Sequence, residues 1–482
     1  MKSLEIPIKE VQRRLADDNA WWSASRGIDP ELRQWPRRAY FGPFINLVRQ
    51  TEVARAVVLI GPRRVGKTVM LMHAIQVLLE NGARGDTILY VSLDTPLYAG
   101  RSLESLVKTF VDLHRHARDR RLWIFFDEIQ YLKDWEVHLK SLVDSYRHIR
   151  FVATGSAAAA LRMKSRESGA GRFTEFMLPP LTFAEYLAFA GREDALIAED
   201  NEVAGSVPAY RALNLPELNH EFINYLNYGG FPEAVMNIAV REHPSRYLRQ
   251  DIVDKVLLKD LPSLFGIGDT QELNRFFNVL AFNTGSEVSL ESLSKHAGIG
   301  KQRLGDYLEY LEAAYLIRRV QRVDDTARRL QRARTFKVYL TNPSIRAALF
   351  GYVNEDDEAV GALAETAIWS QWLHNTRTIE SLHYARWKQG RTDLEVDLVS
   401  VDTRTQKPRF IVEIKWSDAA YENFGEIRGV REFASRHKLV RRPLVTTYSA
   451  SGIGRDGDLE IEFVPTSLHC YTIARNLLRT GG

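Results

Sequence analysis

Residues 56–80, which read AVVLIGPRRVGKTVMLMHAIQVLLE, decide the fold of the first third of this 482-residue chain. The apolar run AVVLI is followed directly by Gly61–Thr68, GPRRVGKT, and then by a segment with helical spacing. The pattern GxxxxGKT between a strand and a helix predicts a phosphate-binding loop. Glycines let such a loop wrap the phosphates, and the N–H groups at the start of the helix point at them.

This loop predicts a nucleotide site that uses Mg²⁺. Lys67 is expected to reach the β- and γ-phosphates, and the Thr68 hydroxyl to ligate the metal. A chance glycine-rich turn is the alternative, and the strand and helix on either side argue against it. We therefore expect ATP and Mg²⁺ as cofactors. The expected nucleotide contacts are Gly61, Arg64, Gly66, Lys67, Thr68 and Val69.

Two further apolar strands end in polar residues that suit the same site. The strand 122–128, LWIFFDE, ends in Asp127 and Glu128, and the strand 149–156, IRFVATGS, ends in Thr154, Gly155 and Ser156. Ligands of doubly wound sheets bind at the carboxyl ends of the strands. Asp127 is therefore expected to support Mg²⁺, and Glu128 to orient the attacking water as a base. An acidic turn is the alternative for the pair, and a helix cap is an equal alternative to γ-phosphate sensing for Ser156.

One arginine could complete the chemistry. Arg172 follows the stretch 165–171, SRESGAG, and could act as an arginine finger on the transition-state phosphate. A structural loop arginine is the alternative. A neighbouring subunit could also receive this side chain, which leaves a homo-oligomer open.

Residues 271–314 have the pattern of a helix–turn–helix. A helix with apolar spacing at 271–283 is followed by a short helix, the turn Gly298–Gly300 and a third helix that starts at Lys301. The start of such a third helix usually contacts bases or phosphates. The tail 317–337 follows with eight cations against Asp324 and Asp325; these cations are Arg318, Arg319, Arg322, Arg328, Arg329, Arg332, Arg334 and Lys337. We expect a winged helix with a basic hairpin that binds nucleic acid, the alternative being a packing module whose arginines are solvated or paired internally.

Two strands near the end carry charged residues at alternating positions. In 394–399, LEVDLV, Asp397 lies on the polar face, and in 410–416, FIVEIKW, Glu413 and Lys415 share a face. Carboxylates on neighbouring strands could hold Mg²⁺ or Mn²⁺, with Glu365 on an upstream helix as a third ligand. Lys415 could then orient or deprotonate a water, or stabilise phosphorane charge. Solvent-facing charges on an ordinary strand, or an inactive remnant, are the alternatives.

Several of these motifs together resemble a known family. GPRRVGKT, IFFDEIQYLKDW, FVATGS and the block 171–187, GRFTEFMLPPLTFAEYL, are similar to prokaryotic AAA-type ATPases of the archaeal-ATPase, signal-transducing lineage. The turn 229–233, GGFPE, resembles the landmark that opens their C-terminal domain of unknown function. The order helix-Glu, strand-Asp, strand-ExK resembles PD-(D/E)xK restriction-type nucleases, with Val396 in place of the usual proline. The resemblance implies an ATPase and a nuclease-like fold.

These patterns imply an α/β protein with five segments. A helical lead-in (1–50) precedes an AAA-type parallel-sheet ATPase core (51–188), a helical connector (189–265), a winged helix (266–340) and a PD-(D/E)xK nuclease-like domain (341–482). Three functions stay open: an ATP-driven nucleic-acid enzyme, a nucleotide-dependent switch that binds DNA or protein, and a protein-remodelling ATPase.

The composition restricts the class of protein and the cellular compartment that we expect. The formal charge is +4, so the chain is not one continuous nucleic-acid-coating surface. The one cysteine, Cys470, allows no intramolecular disulfide and no cysteine-based zinc cluster. Because the sequence has no apolar run of about 18 residues and no signal-peptide pattern, we expect no membrane partner and a cytoplasmic protein.

Overall fold

The computed structural model describes residues 7–23, 27–98, 100–156, 171–200, 208–327 and 335–479, without the side chains of residues 376 and 377. Two compact units divide the chain, Met1–Leu178 and Pro179–Gly482. No helix in these ranges is both long enough and apolar enough to cross a bilayer.

The first unit alternates strands and helices around a parallel sheet. Its longer elements are α1 (Ile8–Asp18), α2 (Pro30–Gln34), α3 (Phe41–Arg49), β1 (Ala56–Gly61), α4 (Lys67–Glu80), β2 (Ile88–Ser92), α5 (Leu103–His114), β3 (Leu122–Asp127), α6 (Trp135–Ser145), β4 (Ile149–Ser156) and β5 (Phe173–Met177). Short 3₁₀ turns lie at Ala20–Trp22, Gly85–Thr87, Pro96–Tyr98 and Ile129–Tyr131.

The strand order in this sheet is β2-β3-β4-β1-β5, and all neighbours are parallel. Every residue of β1 and of β4 is buried, as expected for central strands covered on both faces. Gly61 pairs with Ser156, and Ser92 pairs with Asp127, so the carboxyl ends of four strands meet at one edge. The predicted α/β class and parallel sheet are confirmed for this unit.

The N-terminal segment attaches to the outer edge of this sheet. The Asn19 side chain accepts from the backbone N–H of Tyr90 at 2.6 Å and donates to the Tyr90 carbonyl at 2.9 Å. The indole N–H groups of Trp21 and Trp22 both donate to the Ile88 carbonyl. These bonds pair edge groups of β2 that another strand would otherwise have to satisfy.

The second unit begins with a helical region and a small hairpin. Its first elements are α7 (Phe183–Phe189), α8 (Glu193–Leu196), β6 (Ile197–Asp200), β7 (Ala209–Ala212), α9 (Leu215–Tyr228), α10 (Pro232–Met236), α11 (Ile238–Glu242), two π-helical stretches (Ser245–Asp254 and Val256–Asp260) and α12 (Leu261–Phe265). Strands β6 and β7 pair antiparallel, an element that the sequence pattern of a helical connector does not predict.

The remaining elements form the larger sheet and its helices. They are α13 (Thr270–Phe282), β8 (Glu287–Ser289), α14 (Leu290–Ala297), α15 (Lys301–Ala313), β9 (Ile317–Val323), β10 (Thr335–Leu340), α16 (Ser344–Phe350), α17 (Val360–Trp372), α18 (Thr376–Ile379), β11 (Leu382–Gln389), β12 (Thr392–Val401), β13 (Pro408–Glu413), α19 (Ala419–Glu422), a 3₁₀ turn (Phe424–Ile427), α20 (Arg428–Arg436), β14 (Leu444–Thr447), β15 (Gly452–Asp456), β16 (Leu459–Pro465) and α21 (Thr466–Arg479).

One nine-stranded sheet connects these strands in the order β15-β16-β14-β13-β12-β11-β9-β10-β8 across the described residues. The link is the parallel pairing of β9 with β11, where Arg322 meets Tyr384 and Val323 meets Ala385. Strands on both sides of the predicted boundary at residue 340 therefore belong to a single sheet. One face of it packs against α20 through Val430 and Phe433.

Candidate functional site

The phosphate-binding loop has the backbone geometry that its glycines permit. Gly66 has φ +95°, a conformation that L-residues rarely adopt, and α4 begins at the next residue. A Cβ on Gly61 would lie 2.3 Å from the Leu178 carbonyl oxygen, so only glycine fits beside the end of β5. The sequence-predicted contacts Arg64, Gly66, Lys67, Thr68 and Val69 all lie in this loop or in the first turn of α4.

Lys67 lies folded across the loop. Its ammonium donates to the carbonyl oxygens of Gly61 at 3.0 Å and of Pro62 at 2.9 Å, and the residue is only 6% exposed. The loop thus holds the cation of the first residue of α4. Arg38 supports this backbone from outside by donating to the Val65 carbonyl at 2.6 Å.

Asp127 is the centre of the hydrogen-bond network at this edge of the sheet. Its Oδ2 accepts from the Thr68 hydroxyl at 2.8 Å and from the Tyr90 hydroxyl at 2.8 Å. Its Oδ1 accepts from the Thr154 hydroxyl and from the backbone N–H of Glu128. Four donors from four chain segments therefore fix a buried carboxylate next to the residue predicted to ligate Mg²⁺.

Glu128 lies in the left-handed region, with φ +53°. For a residue other than glycine this conformation costs about 1–3 kcal/mol, and it is concentrated at functional sites. The Glu128 carboxylate accepts from the Gln130 amide, whose oxygen accepts from the Ser156 backbone N–H at 3.2 Å. Gln130 thereby connects the predicted base to the predicted γ-phosphate sensor. The Ser156 hydroxyl itself is buried and has no hydrogen-bond partner among the described residues.

Arg172 lies at the opposite edge of the sheet. It immediately precedes β5, and its carbonyl accepts from the Ala56 N–H at the amino end of β1. The five residues from there to Gly61 span roughly 16 Å of strand. The Arg172 guanidinium pairs with Asp144 of α6 at 2.5 Å. Within one chain this position favours the structural alternative, so an arginine-finger role stays a prediction for a neighbouring subunit.

Sequence reasoning assigned no role to Tyr90 or Gln130, and it placed the Thr154 hydroxyl at the nucleotide rather than on Asp127. All three side chains fix the acidic pair, although Tyr90 lies in an ordinary strand pattern and Gln130 in a turn. The available signal was positional, because Thr154 and Tyr90 lie near the carboxyl ends of strands that flank β3. Burial and Asp127 raise the pKa of Tyr90, which keeps its hydroxyl a donor.

In the second unit, the register of two strands brings the predicted C-terminal acids together. Leu398 pairs with Val412 in the antiparallel ladder, and one step further places Asp397 opposite Glu413. The Asp397 Oδ2 accepts from the Ile414 backbone N–H at 2.9 Å. Lys415 contacts the Glu413 Oε1 at 2.8 Å.

An additional lysine lies among these acids. The Lys337 ammonium is 2.8 Å from Glu365 Oε1, 2.5 Å from Glu395 Oε1 and 3.5 Å from Asp397 Oδ1. Tyr339, two residues further along β10, donates to the same Glu365 oxygen at 2.5 Å. Lys337, Tyr339 and Glu395 are site residues that sequence reasoning did not assign. For Lys337 and Tyr339, the sequence signal of a buried polar site was the alternation in FKVYL, where a lysine lies between buried apolar neighbours.

Burial strongly perturbs the charges in this cluster. It raises the pKa of Glu365 to about 7 against the opposing effect of Lys337, and the pKa of Glu413 to about 8 with help from Asp397. Burial works against the charged form of Lys415, yet Glu413 and Asp397 raise its pKa above the ordinary lysine value. Perturbed groups of this kind are concentrated at functional sites.

The donor set of this cluster consists of carboxylate oxygens, which hard divalent cations prefer. Glu413 Oε2 is buried and has no hydrogen-bond partner in the described part of the chain, so one ligand oxygen is available. Glu365 and Asp397 are both paired with Lys337, and the described ranges contain no group of three or more His, Cys, Asp or Glu side chains placed to hold a metal ion. The residues fit a divalent ion in chemistry, while Lys337 now contacts two of the three predicted ligands.

The basic tail, residues 317–337, is less available for contacts with nucleic acid than its composition predicts. Arg319 pairs with Glu312 at 2.5 Å, Arg322 lies 3.9 Å from Glu287, and Lys337 is buried among acids. The prediction that Lys337 contacts phosphate from a basic hairpin is therefore wrong, because its side chain is 5% exposed and its ammonium is already paired. Arg328, Arg329, Arg332 and Arg334 lie outside the described residues.

Comparison with known proteins identifies one part of the chain. Residues 53–187 match the model of an AAA domain, and residues 219–356 match a domain of unknown function (DUF8612). An uncharacterized protein of Haemophilus influenzae is 26% identical over 272 residues, which are 55% of this chain and 62% of that protein. An uncharacterized protein of Methanocaldococcus jannaschii is 24% identical over 333 residues, 66% of this chain and 68% of its own length.

Solved structures add little to this. The replication initiator DnaA bound to AMPPCP and single-stranded DNA aligns with 59% of this chain and 92% of its own, at 12% identity and a TM-score of 0.28. AMPPCP-bound DnaA from Aquifex aeolicus aligns over the same shares of the two chains, at 12% identity and a TM-score of 0.30. Scores this low do not establish a shared fold. From the family match and the five-stranded parallel sheet together, the N-terminal part of the chain contains an AAA domain.

Proposed function

We propose that this chain is a Mg²⁺-dependent ATP-hydrolysing protein that acts on nucleic acid, with a metal-dependent nuclease-like site in its second unit. The observation that carries the proposal is the hydrogen bond from Thr68, in the phosphate-binding loop, to Asp127 at the end of β3. It joins the two motifs in the arrangement that nucleotide hydrolysis requires. The match to an AAA domain supports the same function.

In the first site each residue has a separate task. The Lys67 ammonium and the N–H groups at the start of α4 hold the phosphates, after Lys67 gives up its bonds to the Gly61 and Pro62 carbonyls. Thr68 and Asp127 would hold Mg²⁺, which neutralises charge on the phosphates when bound. Glu128, held by Gln130, orients the attacking water.

For the second site we propose that Asp397, Glu413 and Glu365 hold a divalent ion, Mg²⁺ or Mn²⁺. The unpartnered Glu413 Oε2 and the antiparallel pairing of β12 with β13, which brings Asp397 next to Glu413, support this. A bound ion would supply charge stabilisation at a scissile phosphate and a more acidic water. The Lys415 side chain is 37% exposed, so its ammonium can stay with Glu413 and also reach a phosphate oxygen or a water.

An assay on the full chain tests both halves of the proposal. We expect release of phosphate from ATP, and cutting of DNA or RNA that requires Mg²⁺ or Mn²⁺ and stops on chelation. Linear, circular and single-stranded DNA and RNA would each be tried with and without ATP. Hydrolysis with salt-sensitive binding but no cutting would favour the nucleotide-dependent switch. Hydrolysis without any nucleic-acid binding would favour protein remodelling.

The switch has one specific observation in its favour. Arg319 and Arg322 are paired with acids of their own unit, which weakens the basic surface that an enzyme on nucleic acid would use. The element order α13-β8-α14-α15-β9-β10, with β10 between β8 and β9, supports a winged helix, and winged helices can contact proteins as well as DNA. We retain the switch as the second candidate.

The start of α15 provides a test of nucleic-acid binding. Lys301 and Arg303 are 59% and 54% exposed, although each has an acidic neighbour within 3.4 Å. We expect the double change Lys301→Glu, Arg303→Glu to weaken duplex DNA binding at least tenfold. The slope of log affinity against log salt should become less negative by about 2, since two phosphate contacts are lost. Fluorescence anisotropy over a salt series would measure both.

The matched control is Arg455→Glu, which reverses an exposed arginine on β15, at 76% exposure. It should leave affinity and salt slope unchanged. Equal weakening by the control would show that only overall charge matters. Unchanged binding in the double variant would remove α15 from the interface.

A further inference from the structure

Lys337 makes an unusual set of contacts. An ammonium group has three N–H donors. Three carboxylates from α17 and β12 lie 2.5–3.5 Å from the Lys337 ammonium; they belong to Glu365, Glu395 and Asp397. The Tyr384 ring lies on a further side, 5.4 Å from the nitrogen. This lysine is therefore enclosed by groups that favour a cation.

The position of Lys337 is set by strand pairing. In β10 it pairs with Glu287 of β8 on one side and with Val320 of β9 on the other. Its side chain is 5% exposed, and buried lysines are rare unless paired. The strand that carries it belongs to the segment proposed as a winged helix, whereas its partner acids belong to the nuclease-like segment.

Two of the three partner acids, Glu365 and Asp397, are the proposed ligands of a divalent ion. A Mg²⁺ ion needs its ligand oxygens at about 2.0–2.1 Å. An ammonium that donates to the same oxygens would lie a few ångströms from that ion, where two positive charges repel strongly in a poorly solvated site. The lysine and the metal therefore compete for these two carboxylates.

We propose that Lys337 is the resident cation of the C-terminal site, and that a divalent ion binds there in exchange for it. The inference rests on the metal site proposed above. Metal binding then requires the Lys337 ammonium to leave Glu365 and Asp397, so the affinity for metal depends on where β10 holds this side chain. The winged-helix segment thereby controls access to the acids of the nuclease-like segment.

The exchange predicts a gain of metal binding when the charge is removed. In Lys337→Met, which keeps the length of the side chain, the Kd for Mn²⁺ should fall at least tenfold relative to the wild-type chain. Isothermal titration of the nucleotide-free full chain, with Mn²⁺ as the probe, measures this without reference to activity. Lys337→Arg keeps the cation and should show no gain. Lys255→Met removes a lysine that pairs with Asp251 at 2.6 Å outside the cluster, and should also show none.

Uncompensated acids could destabilise Lys337→Met, so melting temperature provides a second measurement. Without metal its Tm should lie below that of the wild-type chain. Mn²⁺ should raise the Tm of Lys337→Met by several degrees more than that of the wild type. A Tm of the variant that does not respond to Mn²⁺ would contradict the exchange.

Glu413→Gln, alone and combined with Lys337→Met, separates failure of the exchange from failure of the metal site. Tight wild-type binding that is lost in Glu413→Gln, without any gain in Lys337→Met, overturns the exchange but leaves the metal site in place. Absence of Mn²⁺ binding in every variant overturns both. Weaker binding in Lys337→Met than in the wild type would make Lys337 a positioning residue, which also overturns the exchange.

Discussion

Replacing Glu128 with glutamine is expected to slow ATP hydrolysis by roughly 10²- to 10⁴-fold, the range of general base catalysis. The amide cannot take a proton from the attacking water, although its oxygen can still accept the hydrogen bond from Gln130. The affinity for ATP should stay within about twofold of the wild type, since the phosphates are held by the loop and α4. Phosphate release and titration with a non-hydrolysed ATP analogue measure the two quantities separately.

Lys67→Ala is the complementary variant. It removes the cation inside the loop, so ATP affinity itself should be lost, together with hydrolysis. An equal loss of binding in both variants would mean that Glu128 is structural. Its left-handed backbone and its link to Gln130 would then serve to shape the turn after β3.

Replacing Glu413 with alanine is expected to abolish metal-dependent cutting of nucleic acid, by at least about 100-fold. The change removes one proposed ligand, including the unpartnered Oε2, and deprives Lys415 of its ion-pair partner. ATP hydrolysis should persist, because the proposed base, Glu128, lies in the first unit. Gel-based cleavage with Mg²⁺ or Mn²⁺ and a parallel phosphate-release assay would establish both.

The control for this prediction is Glu460→Ala on β16. Glu460 is an ion-paired glutamate of the same sheet, bonded to Arg442 at 2.7 Å, and has no contact with the cluster among the described residues. Its loss should leave cutting unchanged. Cutting that survives Glu413→Ala would refute the proposed site. Cutting of equal strength in all variants would indicate a contaminating nuclease.

The nucleotide site of the first unit could be predicted from sequence because its parts are adjacent in the chain. A strand, a glycine loop and a helix follow one another within residues 56–80, and each piece predicts the next. Asp127 and Glu128 could be added because acids directly after a buried apolar strand lie at the sheet edge where ligands bind. What local sequence could not supply was which partners fix them, since strand order and the turn after β3 bring Tyr90, Thr154 and Gln130 to the two acids.

The second site shows the limit of such reasoning more clearly. Alternation along two strands predicts which face Asp397, Glu413 and Lys415 share, and one step beyond the pair Leu398–Val412 the register sets the two acids opposite each other. Composition alone assigned Lys337 to a basic hairpin. The pairing of β9 with β11, between residues about 60 positions apart, places it instead among the acids of another segment.

The sequence by itself determined the phosphate-binding loop, the parallel sheet around it and the face of each charged strand, because these depend on short periodicities and on residues adjacent in the chain. Tertiary structure alone decided which cation compensates which acid. That choice depends on strand order and long-range register, which bring Lys337 within 3.5 Å of Asp397 although 60 residues separate them. Burial makes such a pairing necessary, because a charge removed from water is destabilising unless an opposite charge inside the protein compensates it.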